Sequence, residues 1–349
     1  MIHLLDSDTR QFTDKENYPF NHGSLSSVII NLNKSLKKLG YYSEPDEAEW
    51  VGTCDGLNSG FKYKDKKNFL ITCWETANTI PEYVLNSALL SNQKLIGMSN
   101  QITNLWTKYG FECETLHLGI DTEFWQPSVE KNKDVFTFIC PFAIFSRSAI
   151  DLTLEAFYLA FKDSKDVILK LKDTESSQKY IEKINQYKKL GANIEHISNR
   201  VPMQWLRDFY SSAHVCLSLQ RAASFGLIIT ETMACNTLNI TGNIPPSNEI
   251  VNSDVGILVN PNQLISIPKT VDYFVNEWGF INTYGNLSCP EEPYFYDFSV
   301  EEYAQKMQEA YQNWTTKYSK INYRNYIYNN FSWDNSAKKL IKILTNKTI

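Results

Sequence analysis

The sequence predicts an α/β protein of two domains, each built on a doubly wound parallel sheet with helices on its faces. Short apolar, strand-like runs alternate with helical patterns along the chain, which is typical of parallel sheets. The alternation stops at a polar stretch, 126–134, and then starts again. With 349 residues and 43% hydrophobic content, the chain is long and apolar enough to fill two cores.

The first half of the chain carries five strand-like runs and one clear helical pattern. Between the first two runs, apolar residues recur at helical spacing from Leu25 to Leu39, and Gly40 follows as a plausible C-cap. The predicted strands are 2–5, 50–54, 69–73, 94–98 and 114–118. We therefore predict a first domain over residues 1–127.

The second half repeats the pattern and ends in helices. The predicted strands are 135–140, 167–171, 193–197, 215–219, 238–241 and 256–259. Aromatic residues, glycines and Pro290 indicate an irregular insertion over 264–293. Helical spacing returns over 300–318 and 333–344. These patterns predict a second domain over 128–300 and a helical tail over 301–349.

Composition and charge narrow the class of protein. The formal net charge is -5, so no overall basic field points to nucleic acid or an anionic membrane. Seven scattered cysteines indicate reduced thiols rather than a disulfide framework. The N-terminus lacks a signal-peptide pattern and no apolar run has the length of a bilayer span. We expect a cytoplasmic protein without an integral membrane segment. The bias to Asn, Lys, Tyr and Ile suggests an AT-rich genome. A viral genome is one such source, and the protein would then lie in the host cytoplasm.

The segment 221–235 carries the strongest functional signal. A strand-like run is followed by a small-residue turn with Ser224 and Gly226, and a helical pattern begins at Leu227. Backbone N–H groups at such a helix start suit an anion such as a diphosphate. Glu231, about one turn into the helix, can accept hydrogen bonds from a ribose diol. Many ordinary helices also begin after a small-residue turn, so the neighbouring segments matter.

Several blocks, in order over residues 70–262, resemble the retaining GT-B-fold glycosyltransferases of the family 4 (group 1) type. Their donor signature has a first Glu, then Gly-Phe-Gly-Leu-Pro, then a second Glu before Ala-Met-Ala-Cys-Gly. Phe225, Gly226, Leu227, Glu231 and the run 233–235 match it. The blocks 74–76, 80–86, 118–127, 145–157 and 248–261 resemble other parts of the same family.

The resemblance implies a GT-B fold, in which two Rossmann-like domains face each other across a cleft and the last helix braces the first domain. It implies transfer of a sugar from a nucleotide diphosphate donor, most often a UDP-sugar, with retention of anomeric configuration and without a bound metal or cofactor. The first domain would hold the acceptor and the second the donor. The donor-binding residues that it implies are Gly23, Ser24, Arg147, Lys172, Ser224, Phe225, Gly226, Leu227 and Glu231.

Three residues are candidates for contact with the acceptor or the reacting sugar. Trp74 and Glu75 follow an apolar strand, and ligands of open α/β sheets bind at the carboxyl ends of strands. A solvated loop acid is an equally good interpretation of Glu75. His117 lies near the end of another strand, but a lone His among apolar neighbours is more often a packing residue.

Departures from the family pattern leave two functional hypotheses. Ala223 and Ser224 replace the first signature Glu and the Gly after it, and Ser148 replaces the Lys that usually holds the diphosphate. Either the enzyme uses a pentose or another non-standard sugar, with Arg147 replacing the Lys, or the chain is a decayed nucleotide-sugar-binding or scaffold protein. No Gly-X-Gly-X-X-Gly follows the first strand, which disfavours a dehydrogenase.

The acceptor stays open among a glycan, a protein side chain and a modified viral DNA base. Two lysine runs, at positions 34–38 and 62–67, are ordinary solvated surfaces in most proteins. A DNA acceptor becomes credible if these lysines line one cleft with Tyr63 and Trp74.

Overall fold

The computed structural model describes residues 1–5, 24–55, 63, 65–74, 76–142, 147–173, 178–267 and 288–347. The predicted site residues Gly23 and Glu75 lie outside these residues. Among the described helices, none combines the length and apolarity needed to cross a lipid bilayer. The seven cysteines all lie within the described residues, and none of them forms a disulfide.

The first lobe is a parallel sheet whose described strands follow one another in chain order, β1-β2-β3-β4-β5. Most apolar side chains of these strands are buried because helices cover the sheet. The strands are β1 (Ile2–Leu4), β2 (Trp50–Asp55), β3 (Lys67–Thr72), β4 (Lys94–Gly97) and β5 (Cys113–Thr115), and the helices are α1 (Ser24–Lys38), α2 (Glu82–Ser91) and α3 (Asn100–Lys108).

The second lobe is a six-stranded parallel sheet in the order β11-β10-β9-β6-β7-β8. Its strands are β6 (Phe136–Pro141), β7 (Val167–Asp173), β8 (Ile194–Ser198), β9 (Val215–Leu217), β10 (Leu238–Gly242) and β11 (Ile257–Val259). Its helices are α4 (Ile150–Phe161), α5 (Gln178–Lys189), α6 (Met203–Ser212), α7 (Leu227–Ala234) and α8 (Ser247–Ile250). The strand order reverses between β6 and β9, which makes this point the topological switch where doubly wound sheets bind ligands.

Part of the predicted irregular insertion is a regular hairpin. Strand β12 (Pro261–Ser266) pairs antiparallel with β13 (Tyr294–Phe298), apart from both parallel sheets. The prediction of irregular structure is therefore wrong for the start of the insertion at Leu264. Sequence periodicity missed the first strand because its side chains are mostly exposed, without a buried alternation.

The chain ends in helices that return to the first lobe, as the fold prediction expected. Helix α9 (Val300–Gln312) is shorter than predicted, and a 3₁₀ turn (Tyr318–Lys320) follows it. Helices α10 (Tyr323–Asn330) and α11 (Trp333–Thr345) complete the tail. Asp334 of α11 accepts hydrogen bonds from Ser35 at 2.9 Å and Lys38 at 2.5 Å, both on α1.

The segment between the lobes is held by this tail. The Ile120 N–H donates to the carbonyl of Phe331 at 2.9 Å. A Cβ at Gly119 would lie 2.3 Å from the backbone nitrogen of Trp333, so only glycine allows the two segments to approach this closely. The tail thus fixes the crossover from the first lobe to the second.

Candidate functional site

The carboxyl ends of the two sheets meet, and three cross-lobe contacts show it. Ser99, just after β4, donates its hydroxyl to the carbonyl of Ser224 at 2.8 Å. The Ser224 hydroxyl donates to the carbonyl of Trp74, just after β3, at 3.1 Å. His117, after β5, lies 2.8 Å through Nε2 from a carboxylate oxygen of Glu249, after β10. Each contact joins residues beyond the carboxyl ends of strands, which is where open α/β sheets bind ligands.

Residues 218–226, here called the signature loop, connect β9 to α7 at this junction. Gly226 precedes α7 with φ of 118°, a backbone conformation that side chains other than glycine's rarely adopt. The turn therefore directs the N–H groups of the first turn of α7 toward the loop. Ser224 is buried between the lobes, so its predicted role in donor binding is accompanied by a clear structural role.

Arg221 fixes the start of the signature loop. Its guanidinium makes two parallel hydrogen bonds of 2.8 Å to the carboxylate of Asp151 and one of 2.9 Å from Nε to Asp297. Burial lowers the pKa of Arg221, but the hydrogen bond and charge of Asp151, with those of Asp297, more than offset burial and hold that pKa above its ordinary value. Arg221 is thus a structural cation, because each of its three guanidinium nitrogens already donates to a carboxylate.

Glu231 differs from Arg221 in having no such partner. It lies in the second turn of α7 and is only partly accessible, and burial raises the pKa of its carboxyl to about 8. Among the described side chains, none forms an ion pair or a hydrogen bond with it. A carboxylate in this condition gains most from hydrogen-bond donors supplied by a ligand, and a ribose diol supplies two.

The predicted phosphate cations have different surroundings. Arg147 follows β6, one strand of the switch point, and its Nη1 donates to the carbonyl of Ala222 at 3.4 Å. Lys172 is buried at the end of β7, and its ammonium donates to the carbonyls of Asp173 and Asn199, the latter at 2.5 Å. Burial lowers the pKa of Lys172. The structure therefore gives Lys172 a role in closing the ends of β7 and β8, which does not favour its prediction as a phosphate ligand.

Trp74 and His117, the two predicted acceptor-side residues that the structure describes, have different surroundings. The Trp74 side chain is 2% exposed and packs in an apolar cluster with Phe295 of the hairpin. His117 is partly exposed and lies against the rings of Phe225 and Phe331. Trp74 thus acts as a packing residue here, while His117 stays a candidate with a carboxylate partner.

The remaining predicted donor-site residues are mostly packing residues. Phe225 is buried, with its ring centroid 6.2 Å from that of Phe331 in the tail. Leu227 begins α7 and packs against the main core. Ser24 begins α1, whose amino end lies at the carboxyl edge of the first sheet because α1 follows β1.

Sequence reasoning missed the partners that organise the site, namely Ser99, Asp151, Arg221, Glu249 and Asp297. Glu249 accepts hydrogen bonds from the N–H groups of Asn100 at 2.8 Å and Gln101 at 3.1 Å, so it caps α3 from the other lobe. A signal was present: Ser99 and Glu249 each follow a predicted strand closely. The pairing between them and their partners carries no local sequence signal.

The lysines of the two runs that the structure describes lie away from the junction or have acidic partners; Lys62 and Lys64 lie outside the described residues. Lys66 and Lys67 are at the amino end of β3, and Lys67 pairs with Glu49 at 2.7 Å. Trp74 follows the other end of that strand, about 20 Å away. Of the first run, Lys38 pairs with Asp334 at 2.5 Å and Lys34 lies 3.8 Å from Asp121. The described lysines therefore do not line a cleft with Trp74.

Comparison with known proteins gives the class of protein. The chain aligns with a sucrose-phosphate synthase from Thermosynechococcus elongatus over 90% of its length and 77% of that chain, with 15% identity and a TM-score of 0.60. A glycosyltransferase from Rickettsia africae aligns over 94% of this chain and 84% of that chain, with 17% identity and a TM-score of 0.62. HepE from Anabaena, solved with UDP and glucose, aligns over 93% and 84%, with 13% identity and a TM-score of 0.62. At these identities the similarity shows the fold, and that fold is GT-B.

The family follows from the sequence of the second lobe. Residues 121–286 match the family described as glycosyl transferases group 1. No curated protein matches the chain closely enough to count as a relative. The matched segment includes the signature loop and Glu231, and the chain as a whole has the GT-B fold.

Proposed function

We propose that this protein transfers a sugar from a nucleoside diphosphate donor, with UDP as the leaving group, to an acceptor hydroxyl. The observation that carries the proposal is the position of Arg147 and the signature loop. They follow β6 and β9, the two strands between which the sheet order reverses, so both border the crevice in which a doubly wound sheet binds a nucleotide. HepE was solved with UDP and glucose, and the pneumococcal transferase GtfA with UDP and GlcNAc.

In this proposal, the nucleotide occupies the second lobe with its ribose at Glu231. The carboxyl accepts hydrogen bonds from the diol, and the N–H groups at the start of α7 face the diphosphate. Arg147 supplies the positive charge that its family relatives supply with a Lys at the position of Ser148. Ser148 is buried and carries no charge. Arg147, the residue before it, is the described cation that follows β6 most closely.

The sugar is proposed to be a pentose or another sugar that lacks the usual hydroxyl pattern. Ala223 is buried at the position of the first signature Glu, so the loop has no carboxylate there to accept hydrogen bonds from the sugar. A site built with a buried hydrogen-bonding group strongly rejects substrates that leave it unpaired. Removing that group removes the demand for a hydroxyl.

We further propose transfer with retention, as the resemblance to family 4 implies. The bond between the anomeric carbon and the diphosphate oxygen breaks, and the acceptor oxygen bonds to that carbon from the same face. The acceptor proton passes to the departing diphosphate. The tasks of the protein are then to stabilise the leaving diphosphate and to exclude water between the lobes.

For the acceptor we propose a glycan or a protein hydroxyl bound at the carboxyl edge of the first sheet. The described lysines give little support to a DNA acceptor, since they lie at the opposite edge or have acidic partners. Seven cysteines without a disulfide fit a reducing, cytoplasmic location. A transferase acting on DNA would lose activity steeply with added salt, whereas one acting on a glycan would not.

A second candidate, a nucleotide-sugar-binding protein without turnover, is favoured by one observation. Ala223 stands where the family has the Glu that contacts the sugar, and Ser148 stands where it has the Lys that contacts the diphosphate. This chain therefore lacks both the acid and the cation at these two positions. Such a protein would retain Glu231 and the start of α7, and would still bind UDP.

The test separates binding from turnover. Calorimetry with UDP, ADP and GDP should show preferential binding of UDP, and the Glu231→Ala variant should bind it at least tenfold more weakly. Release of UDP from a panel of UDP-pentoses and UDP-hexoses then measures turnover, and proton NMR of the product reports anomeric configuration. Binding without release across the panel would favour the second candidate, and no nucleotide binding would reject both.

A further inference from the structure

The hairpin of β12 and β13 belongs to the second lobe in sequence but is anchored in the first lobe. The Ala77 N–H donates to the Tyr294 carbonyl at 3.3 Å, and the Tyr294 N–H donates to Oδ1 of Asn78 at 3.1 Å. Nearby, Lys108 of α3 pairs with Glu291 at 2.5 Å. Both backbone and side chains therefore hold the hairpin against the first lobe.

Apolar packing strengthens this anchor. Phe295 and Ile267 are fully buried in the cluster that includes Trp74 and residues of α2 and α3. Ala222 of the signature loop is part of the same cluster. Because buried apolar contacts resist separation, a displacement of the first lobe carries the hairpin with it.

Strand β13 of the hairpin also holds the signature loop. Asp297 accepts from Nε of Arg221 at 2.9 Å, and the Tyr296 N–H donates to the Arg221 carbonyl at 3.2 Å. Gln263 of the paired strand donates to the other oxygen of Asp297 at 3.0 Å, which fixes the orientation of the carboxylate. The hairpin thus determines where Arg221 lies.

Arg221 also contacts residues that follow β6, on the other side of the switch point. Its two hydrogen bonds to Asp151 connect it to the first turn of α4, and its N–H donates to the carbonyl of Arg147 at 2.8 Å. Arg147 in turn contacts the carbonyl of Ala222. One guanidinium therefore connects the segments after β6 and β9 to the hairpin.

We propose that Arg221 is a positioning residue, through which the hairpin sets the signature loop and Arg147 in register with the first lobe. The inference rests on the proposed function, since it assigns the loop to the donor. A planar guanidinium with paired carboxylates has a narrow range of orientations, so it transmits position better than an apolar contact does. Arg221 itself does not touch the donor, because its guanidinium nitrogens are bonded to the two carboxylates.

The first test needs no nucleotide. Lys108→Met removes the ion pair with Glu291 on the first lobe, and Asp297→Asn removes a carboxylate beside Arg221. Hydrogen exchange by mass spectrometry should become faster in residues 293–298 and also in 221–226 for both variants. Glu195→Gln, which removes the exposed pair of Glu195 with Lys170, is the matched control and should change neither segment. Faster exchange confined to the hairpin would overturn the proposal.

The second test uses the kinetics of the full-length protein. Asp297→Asn should lower kcat about ten- to a hundredfold while the Kd for UDP changes less than about twofold, because misplacement of reacting groups reduces rate more than binding. Asp297→Glu should recover part of kcat. An equal loss in affinity and kcat would make Arg221 part of the binding site and overturn the positioning role. If the unmodified protein fails to bind UDP, the proposed function fails while the exchange test still decides whether the hairpin orders the loop.

Discussion

The two halves of the signature segment, the loop before Gly226 and the helix after it, differ in how their charges are matched. In the loop, Arg221 has two carboxylate partners, and Ser224 uses both its hydroxyl and its carbonyl between the lobes. In the helix, Glu231 has no described side-chain partner and a pKa raised to about 8. Buried groups that the protein satisfies itself hold structure, and buried groups that it leaves unsatisfied await a ligand. The loop is therefore the frame, and under the proposed function the helix start with Glu231 is the binding element.

The largest expected effect is the loss of the cation that holds the loop. Arg221→Met should lower the free energy of unfolding by about 3–5 kcal/mol, because it leaves Asp151 and Asp297 without their common partner in a largely buried place. Urea denaturation measures it. Arg200→Met, at an exposed position, is the control and should change stability by less than about 0.5 kcal/mol. Similar stabilities for both variants would contradict the view of the loop as a frame.

Removing the unmatched acid should affect binding and spare stability. Glu231→Ala should weaken UDP binding by about 1.5–3 kcal/mol, because two hydrogen bonds from the ribose diol contribute roughly 1 kcal/mol or somewhat more each. Its unfolding free energy at neutral pH should stay equal to that of the unmodified protein or exceed it, because no native partner is lost. Calorimetry and urea denaturation on the same preparation separate the two effects. A destabilised variant with unchanged UDP affinity would instead show that Glu231 has a structural role and does not bind the ligand.

The pH dependence of stability sharpens the same contrast. Burial raises the pKa of Glu231 from 4.5 to about 8, so the folded protein holds its proton more tightly than the unfolded chain does. This contribution to stability is complete below pH 4.5 and declines as the pH rises to about 8. Glu231→Gln should therefore match the unmodified protein near pH 4 and exceed it by about 1–2 kcal/mol at pH 9, less than the full shift because the side chain is partly accessible. Parallel pH–stability curves would show that the carboxyl is not buried in this way.

The smallest expected effect concerns the backbone beside Asp151. Ala149 precedes α4 with φ of 51° and is fully buried, a left-handed conformation that costs a non-glycine residue roughly 1 kcal/mol. Ala149→Gly relieves this strain, which would add up to about 1 kcal/mol to the free energy of unfolding. The extra freedom of glycine in the unfolded chain offsets part of that gain, so we expect a small rise in the melting temperature. Ala160→Gly, inside α4, should lower it. A loss of stability in Ala149→Gly would show that the left-handed conformation of Ala149 costs less than the freedom that glycine adds to the unfolded chain.

Much of the fold could be predicted because its signals are local. Apolar runs separated by helical spacing identified the strands of both sheets, including β6, whose six residues are all buried. The hairpin was missed because β12 is mostly exposed and its partner β13 lies some thirty residues away in sequence. The end of α9 was placed too late because apolar spacing continued into the 3₁₀ turn that follows it.

The site was predicted less completely. Residues that follow strands were identified where they occupy positions of the family signature, as with Arg147 and Ser224. Lys172 was placed correctly at a strand end, but its ammonium bonds to backbone carbonyls, and no sequence pattern reveals which way a long side chain turns. The assignment of donor and acceptor roles stays a prediction.

The sequence alone determined the alternation of strands and helices, the place of the signature loop between β9 and α7, and the presence of Glu231 one turn beyond Gly226. These depend on neighbours within a few residues, which share one local backbone conformation. Only the tertiary structure decided that Arg221 meets Asp151 and Asp297, 70 and 76 residues away in the chain, and that Ser224 meets Trp74, 150 residues away. Contacts between such distant residues depend on which strand ends the packed core brings together, and that is settled by the burial of both sheets as a whole.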